Sequence, residues 1–341
     1  MKTSQKITYA QLLKALLDEE NRLPPSILYR LSDLTPPEAQ QLQKDWDRIP
    51  AWRRQALLED LEQLGDSDLV LFYDAVCRIA LYDSQAAVRA LALRIIGDYQ
   101  SEELIPLFIQ MMNSDQDAAV RAEAASALAP FVYLGEIEEI SEAVQHQVED
   151  ALLKVTTSND ESLVRRRALE ALGYSARPEV APLIDAAYTK GKEDWLVSAL
   201  FAMGRSANEE WQEQVLACLD DPRPAVTYEA ICAAGELEIK QAVPRLMEIL
   251  DGNDPDLTDA AIWSLSQIGG VEARTKLEQL LEACEDDEEA DYLEDALDNL
   301  TFTEGLSYLE MFEYTQDDPN AADDDLDWLD DNDEEDEADE A

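Results

Sequence analysis

The sequence predicts an all-α chain: an α-α superhelix, in which helical hairpins stack into a solenoid, followed by a disordered acidic tail. Three observations predict it. One helical pattern, clearest in "DAAVRAEAASAL" at 117–128, returns along the chain with its small residue in place. The copies recur at a nearly constant period, which is the mark of a stacked repeat. Between the copies lies a second amphipathic run, so each unit is a pair of helices.

The elements follow in chain order. Residues 1–48 are expected to form an N-terminal helical cap. Its opening, "MKTSQKITYAQLLKALLDEE", is amphipathic and lacks the apolar core and small-residue cleavage site of a secretory signal. The repeats occupy 49–305. Each is anchored on an apolar residue, with a small residue four positions on and an apolar one eight positions on, offsets that share one helix face. Val88, Ala92 and Ile96 fit, as do Val120, Ala124 and Leu128, and Val164, Ala168 and Leu172. Trp195, Ala199 and Met203 continue the series, then Val226, Ala230 and Ala234, then Leu257, Ala261 and Leu265. Trp52 with Ala56 is a weaker first copy, because Asp60 falls where the apolar residue belongs. Tyr292, Ala296 and Leu300 close the series. From Val88 to Leu257 the anchors step by 31 or 32 residues, except for a step of 44 from Val120 to Val164. That longer step implies an inserted helical turn or more, with a loop, near Gly135.

The template has a direct physical reading. Its central Ala lets two helix backbones approach closely. The intervening runs, such as "EELIPLFIQMM", "PEVAPLIDAAY" and "QAVPRLMEIL", carry a Pro early, where its missing N–H is tolerated. Asp117 and Glu161 stand just before second helices, where the macrodipole favours an acid. One hairpin cannot bury its apolar face alone, and stacking neighbours buries a continuous core. With 46% hydrophobic residues in 341, the chain can build one.

Charge narrows the function. The formal net charge is −50. A nucleic-acid binder needs a basic surface, so nucleic acid is not an expected partner, and anionic membrane surfaces are disfavoured for the same reason. No run of about 18 apolar residues occurs, so no spanning helix is expected. The acid is unevenly spread: residues 277–341 hold 29 Asp and Glu and no Lys or Arg. Cys77, Cys218, Cys232 and Cys284 lie far apart without CxxC pairing, which suits reduced thiols in a cytoplasm.

The period and template resemble HEAT repeats, especially the short bacterial kind named after phycobilisome lyase subunits. The "VR" of "AAVRAEAASAL" and the "VAPL" of "PEVAPLI" carry the resemblance, over roughly 49–300. The stretch "LSDLTPPEAQQLQKDWDRIPAWRRQALLEDL" is similar to the lead-in of bacterial HEAT proteins of no assigned role. The resemblance implies a HEAT-like or armadillo-type solenoid, and such a fold does not fix function. The Arg at offset 1, in Arg53, Arg89, Arg121 and Arg165, is expected to form a structural ladder of hydrogen bonds between successive repeats. At Leu196, Thr227 and Thr258 that Arg is gone. In HEAT arrays the second helices line the concave face. Offsets 2 and 6 there become mostly apolar or aromatic in the later repeats: Val197, Phe201, Tyr228, Cys232, Asp259 and Trp263. They read either as a partner-binding ridge or as packing between repeats.

Chemistry-bearing constellations are thin. Deoxyhypusine hydroxylase, a HEAT-like iron enzyme, uses repeated His-Glu pairs, whereas the one histidine here, His146, is followed by Gln147. One His cannot supply such a site, and no metal or cofactor is expected. The cluster Arg165 to Arg167 would meet a carboxylate-rich partner or neutralise a neighbouring acidic helix. The tail, 306–341, is too acidic and too poor in apolar residues to fold. Leu326, Trp328 and Leu329 inside it suggest a short binding motif, against the plainer role of solubility and spacing. The expected function is a cytoplasmic, non-enzymatic scaffold or adaptor that binds another protein with a basic or apolar surface. The alternatives are a lyase-like enzyme accessory factor and an acidic chaperone or nucleic-acid mimic for basic proteins.

Overall fold

The structure, a computed structural model, describes residues 7–67 and 70–316. Among the described residues all regular structure is helical. The chain divides between Asn208 and Glu209 into two compact units.

The first unit opens with α1 (Tyr9–Leu16), α2 (Pro25–Ser32) and α3 (Pro36–Asp45). Local chemistry starts each of them. Thr8 with Gln11 and Thr35 with Glu38 form capping boxes, and Pro25 and Pro36 stand where a helix has no N–H to satisfy. Arg30, 6% exposed, ties the three together. It donates to the Ile7 carbonyl at 2.9 Å, the Asp33 carbonyl at 2.8 Å and Glu38 at 2.5 Å.

The repeats follow. Helix α4 (Ala51–Ser67) precedes the hairpins α5 (Asp74–Ala80) with α6 (Ala86–Gly97), and α7 (Ile105–Ser114) with α8 (Ala118–Ser126). The long step in the period is α9 (Ala129–Glu136) followed by the extended first helix α10 (Glu142–Thr156), which packs on α11 (Ser162–Ala171). Pro130 breaks α8 from α9 by lacking the N–H that would continue the helix. A Cβ on Gly135 would collide with the Gln145 side chain, so the insertion folds back tightly at that glycine. The unit ends with α12 (Val180–Thr189) and α13 (Glu193–Arg205). The second helices α4, α6, α8, α11 and α13 stack on one another in that order. Their central alanines Ala92, Ala124, Ala168 and Ala199 are fully buried, as are Val88, Val120 and Val164.

The second unit repeats the plan with α14 (Gln212–Cys218) and α15 (Pro224–Glu236), α16 (Val243–Leu250) and α17 (Pro255–Ile268), and α18 (Val271–Ala283) and α19 (Asp287–Gln316). Helices α15, α17 and α19 stack directly. Glycines permit the closest approaches in both units. A Cβ on Gly97 would meet Ala127 at 3.1 Å, one on Gly173 would meet the Ala202 Cα at 3.0 Å, and one on Gly235 the Ser264 Cα at 2.8 Å. All three lie nine residues beyond their anchors, a template position the sequence reading did not use.

Helix α19 runs to Gln316, past the point at 306 where the sequence places the start of the tail. The segment "LSYLEMFEYTQ" alternates apolar and polar residues at helical spacing, and the first helix-breaking residue is Pro319. Residues 317–341, with Leu326, Trp328 and Leu329, lie outside the described residues.

Candidate functional site

A run of buried and part-buried ion pairs organises the first unit, and the site candidates stand around it. Arg89 donates from Nε and Nη2 to Asp115 at 2.9 and 2.7 Å, and from Nη1 to the Asp83 carbonyl at 2.8 Å. Arg121 repeats the arrangement one repeat on, reaching Asp160 at 3.0 and 2.7 Å and the Asp115 carbonyl at 2.8 Å. Each Asp also accepts a following backbone N–H: Gln85 for Asp83, Asp117 for Asp115 and Glu161 for Asp160. The Asp thus shapes the turn before a second helix while holding the Arg of the preceding repeat. Burial pushes the Asp83 and Asp115 carboxyls up, but the arginine and backbone bonds outweigh it and hold both below the usual range. At Asp160 the bond from Arg121 is the largest influence and lowers the carboxyl too.

The first rung is Arg54, not Arg53. Arg54 lies 2.6 Å from Asp83 through Nε and donates from Nη1 to the Ile49 carbonyl at 2.6 Å. Arg53 is also buried, but it donates to the Ala15 carbonyl at 3.1 Å and so fastens α1 to α4. The reason is register. Counted from Arg53 rather than Trp52, offsets 4 and 8 are Leu57 and Leu61, both fully buried, while Trp52 is half exposed. Arg165 also departs from the expected pattern: its Nε donates to the Thr156 carbonyl, inside its own hairpin, at 3.1 Å. Its neighbours in the cluster are engaged separately. Arg166 lies 3.5 Å from Asp194, and Arg167 donates to Glu170 at 2.5 Å.

An open groove of about 880 Å3 lies on the first unit across α4, α6 and α8. Leu61, Leu93, Ala127 and Pro130 line its apolar part, and the 70–73 loop forms one side. On that loop Val70 is 88% exposed and Phe72 53% exposed. The Phe72 ring packs on Tyr99 at 4.2 Å between centroids. Arg94 spans three successive repeats, donating to Glu62 at 2.6 and 3.2 Å and to Glu123 at 3.4 Å. With Asp98, three carboxylates line the groove against this one guanidinium. Arg94 and Ser126 hold offset 6 in the earlier repeats and neither is apolar, so the ridge pattern does not single them out, and no periodicity places the loop beside them.

The candidate ridge falls in both units. In the first, Val197 and Phe201 are half-buried on α13. The Arg205 guanidinium sits 5.1 Å from the Phe201 centroid and donates to the Tyr174 hydroxyl at 2.7 Å. Tyr174 in turn packs on Tyr133 at 5.2 Å. In the second unit Tyr228 is exposed at 42%, and Trp263 is half-buried. A Cβ on Gly235 would fall 2.8 Å from the Trp263 ring, so that ring rests on the glycine of the neighbouring helix. Trp263 therefore packs between repeats, while Tyr228 presents its ring to solvent.

The side chains that most often carry catalysis are dispersed. His146 stands on the outer side of α10, 4.0 Å from Glu142. Cys77 and Cys218 are buried, and burial pushes the Cys77 thiol well up. Among the described residues no three His, Cys, Asp or Glu side chains come together as metal ligands, and no helix is long and apolar enough to cross a membrane.

Stacked hairpins of this period define an α-solenoid, and the family model for HEAT repeats matches residues 73–146 and 212–298. Over those residues the chain carries HEAT repeats. Comparison with curated proteins finds no match. Among solved structures it is similar to YibA of Escherichia coli, with 18% identity, TM-score 0.44, and 83% of this chain and 98% of that one covered. It is also similar to the complex of CpcE and CpcF of phycocyanin lyase from Nostoc, with 18% identity, TM-score 0.45, and 67% and 95% covered. Human deoxyhypusine hydroxylase matches with 17% identity, TM-score 0.34, and 76% and 95% covered.

Proposed function

We propose that the protein is a non-catalytic, cytoplasmic adaptor that holds a basic, apolar-anchored segment of another protein in the groove across α4, α6 and α8. The observation that carries this reading is the groove itself. Its apolar wall is extended by the exposed Val70 and Phe72, and its charges are three carboxylates to one guanidinium. Exposed apolar side chains with a net negative rim suit a segment that buries an apolar residue and pairs a Lys or Arg beside it. The non-catalytic half is supported by the dispersal of His146 and the cysteines. The acid of the whole chain speaks against nucleic acid and for a basic partner.

The test uses two labelled model peptides of equal length, one alternating Lys with Leu and one alternating Glu with Leu. Fluorescence anisotropy should show the basic peptide bound at least about tenfold more tightly, a difference of about 1.4 kcal/mol. Phe72→Ser and Glu123→Lys should each weaken it several-fold while the helical circular dichroism stays. Equal binding of the two peptides, or binding untouched by both substitutions, would sink the proposal.

A further inference from the structure

The ladder of the first unit has a gap, and its position is informative. The acceptor stands five residues before the buried anchor in two repeats, Asp83 before Val88 and Asp115 before Val120, and four before it in a third, Asp160 before Val164. In the repeat anchored on Trp195 these two positions are Lys190 and Gly191. The residue that should receive the Arg165 fork is therefore itself a cation, and Lys192 follows two residues on. The turn there is made by Gly191 at φ 63°.

Two of the cations share one ring, and Lys192 lies near enough to Lys190 to act on its charge. Lys190 Nζ lies 3.5 Å from the centroid of Trp195, and Arg165 Cζ lies 5.4 Å from it. Among the described residues no carboxylate comes within ion-pair distance of Arg165, Lys190 or Lys192. Burial lowers the Lys190 pKa, and the neighbouring charges that add to this, Arg165 and Lys192, are both positive. Like charges are not normally collected in this way at a cost to themselves. It is still less expected in a chain with 76 acids and 26 bases.

We infer that Arg165, Lys190 and Lys192, set against Trp195, form a carboxylate-binding site for an acidic segment of a partner polypeptide. The chemistry follows from the complete rungs. Arg89 and Arg121 each grip a carboxylate through Nε and Nη2. Arg165 has no such oxygen pair: its Nε is held by the Thr156 carbonyl, and an Asp or Glu side chain supplied from outside pairs with the remaining Nη groups. Lys190 and Lys192 then neutralise its neighbours along the segment. The openness of the site selects a polypeptide over a small anion. Both lysines are exposed, so a free anion would keep most of its water and gain little, whereas a tethered carboxylate is held by the rest of its chain. The long-range repulsion from the rest of the protein is screened beyond about 8 Å at 0.15 M salt, which leaves the local cations in control. This site is independent of the groove, whose ligand has the opposite charge.

The experiment measures anisotropy of a labelled peptide alternating Glu with Gly on the full chain, in about 0.15 M salt. The wild-type protein should bind it. Arg165→Gln should weaken binding about tenfold. Lys190→Asp restores the acceptor from within, so it should abolish binding and raise the melting temperature by a few degrees. Lys240→Asp, a charge reversal of an exposed lysine in the other unit, should leave binding unchanged. Three outcomes would overturn the inference: no binding to the wild type, equal weakening by Lys190→Asp and Lys240→Asp, or displacement of the peptide by inorganic phosphate at similar concentration. Lys192→Gln, at an exposed position, offers a second reading if Arg165→Gln disturbs the fold, and it should weaken binding several-fold.

Discussion

The Arg89–Asp115 rung gives the sharpest energetic test, because it joins consecutive repeats through two charged hydrogen bonds in a nearly buried setting. The side chains are 15% and 10% exposed, and the bonds are 2.7 and 2.9 Å long. Exposed pairs contribute about 0–1 kcal/mol, while removing one partner of a fully buried pair costs about 3–5. This pair lies nearer the second limit. Arg89→Met removes both bonds and the one to the Asp83 carbonyl, and should cost about 3 kcal/mol. Asp115→Ala should cost a similar amount, because it also orphans the Asp117 N–H. The double variant should cost less than the two together, leaving a coupling of about 2 kcal/mol. Urea unfolding followed by circular dichroism reads this as a midpoint shift on the order of 1 M. The exposed Arg245–Glu248 pair, with its side chains 40% and 68% accessible, is the internal control and should couple by about 0.5 kcal/mol or less. A coupling under about 0.5 kcal/mol for Arg89 with Asp115 would refute the idea that the ladder holds neighbouring repeats together.

Three further outcomes are expected. Arg54→Met should lower global stability by about 3 kcal/mol, since it strands the buried Asp83, whereas Arg53→Met should mainly loosen α1, seen as faster amide exchange there. Equal global losses would contradict the register assigned to the first repeat. Gly235→Ala should cost about 1–3 kcal/mol by overpacking against Ser264 and should shift tryptophan emission as Trp263 is displaced, so an unperturbed spectrum would count against that contact. Cys77 should resist a thiol reagent in the native state and react only on unfolding, because it is buried and its thiolate is disfavoured.

Much of the fold was legible because a repeat states its own pattern several times. Val88, Ala92 and Ile96 predict a buried face from three letters, and the same offsets in the next repeats check it. Where one copy is read alone, the check is lost. At Trp52 the large apolar ring drew the register one residue too early, although Asp60 at the expected apolar position was a visible sign of the slip. The ladder acceptors were legible too, as an Asp four or five residues before the anchor, but only once the arginines were known to need them. Pairwise facts were not legible. Trp263 shares its helix position with the exposed Arg94, and it packs between repeats because Gly235 on the next helix leaves room. The groove depends on the loop carrying Phe72 returning beside α6, which no helical periodicity encodes.

The two units solve the same stacking problem with different chemistry, and acid should separate them. In the first, charged rungs cross from repeat to repeat. In the second, Thr227 stands where the ladder Arg stood, and its hydroxyl donates to the Asp221 carbonyl at 2.8 Å, the bond Arg89 makes to Asp83. Asp221 pairs with Arg223 in its own loop. Neutral donors link the repeats: Ser264 to the Ile231 carbonyl at 2.7 Å, Asn299 to the Ser266 hydroxyl at 3.1 Å, and Tyr292 to the Asp259 carbonyl at 3.0 Å. The ion pairs that cross repeats there, Arg245–Asp220 and Lys276–Asp251, have exposed carboxylates. The ladder carboxyls Asp83, Asp115 and Asp160 have lowered folded-state pKa values. Their contribution is complete above the usual carboxylate pKa of about 4 and is lost as pH falls through the lowered values. The neutral bonds of the second unit do not titrate there, and protonation also relieves the crowded acids after Lys276. Amide exchange, corrected for intrinsic rate and compared at about pH 6 and pH 3, should therefore show α6 and α8 losing protection relative to α15 and α17. The Arg89→Met variant should narrow that difference, because its ladder is already open at neutral pH. If α15 and α17 lose as much protection as α6 and α8, the lowered carboxyls are not what acid attacks first.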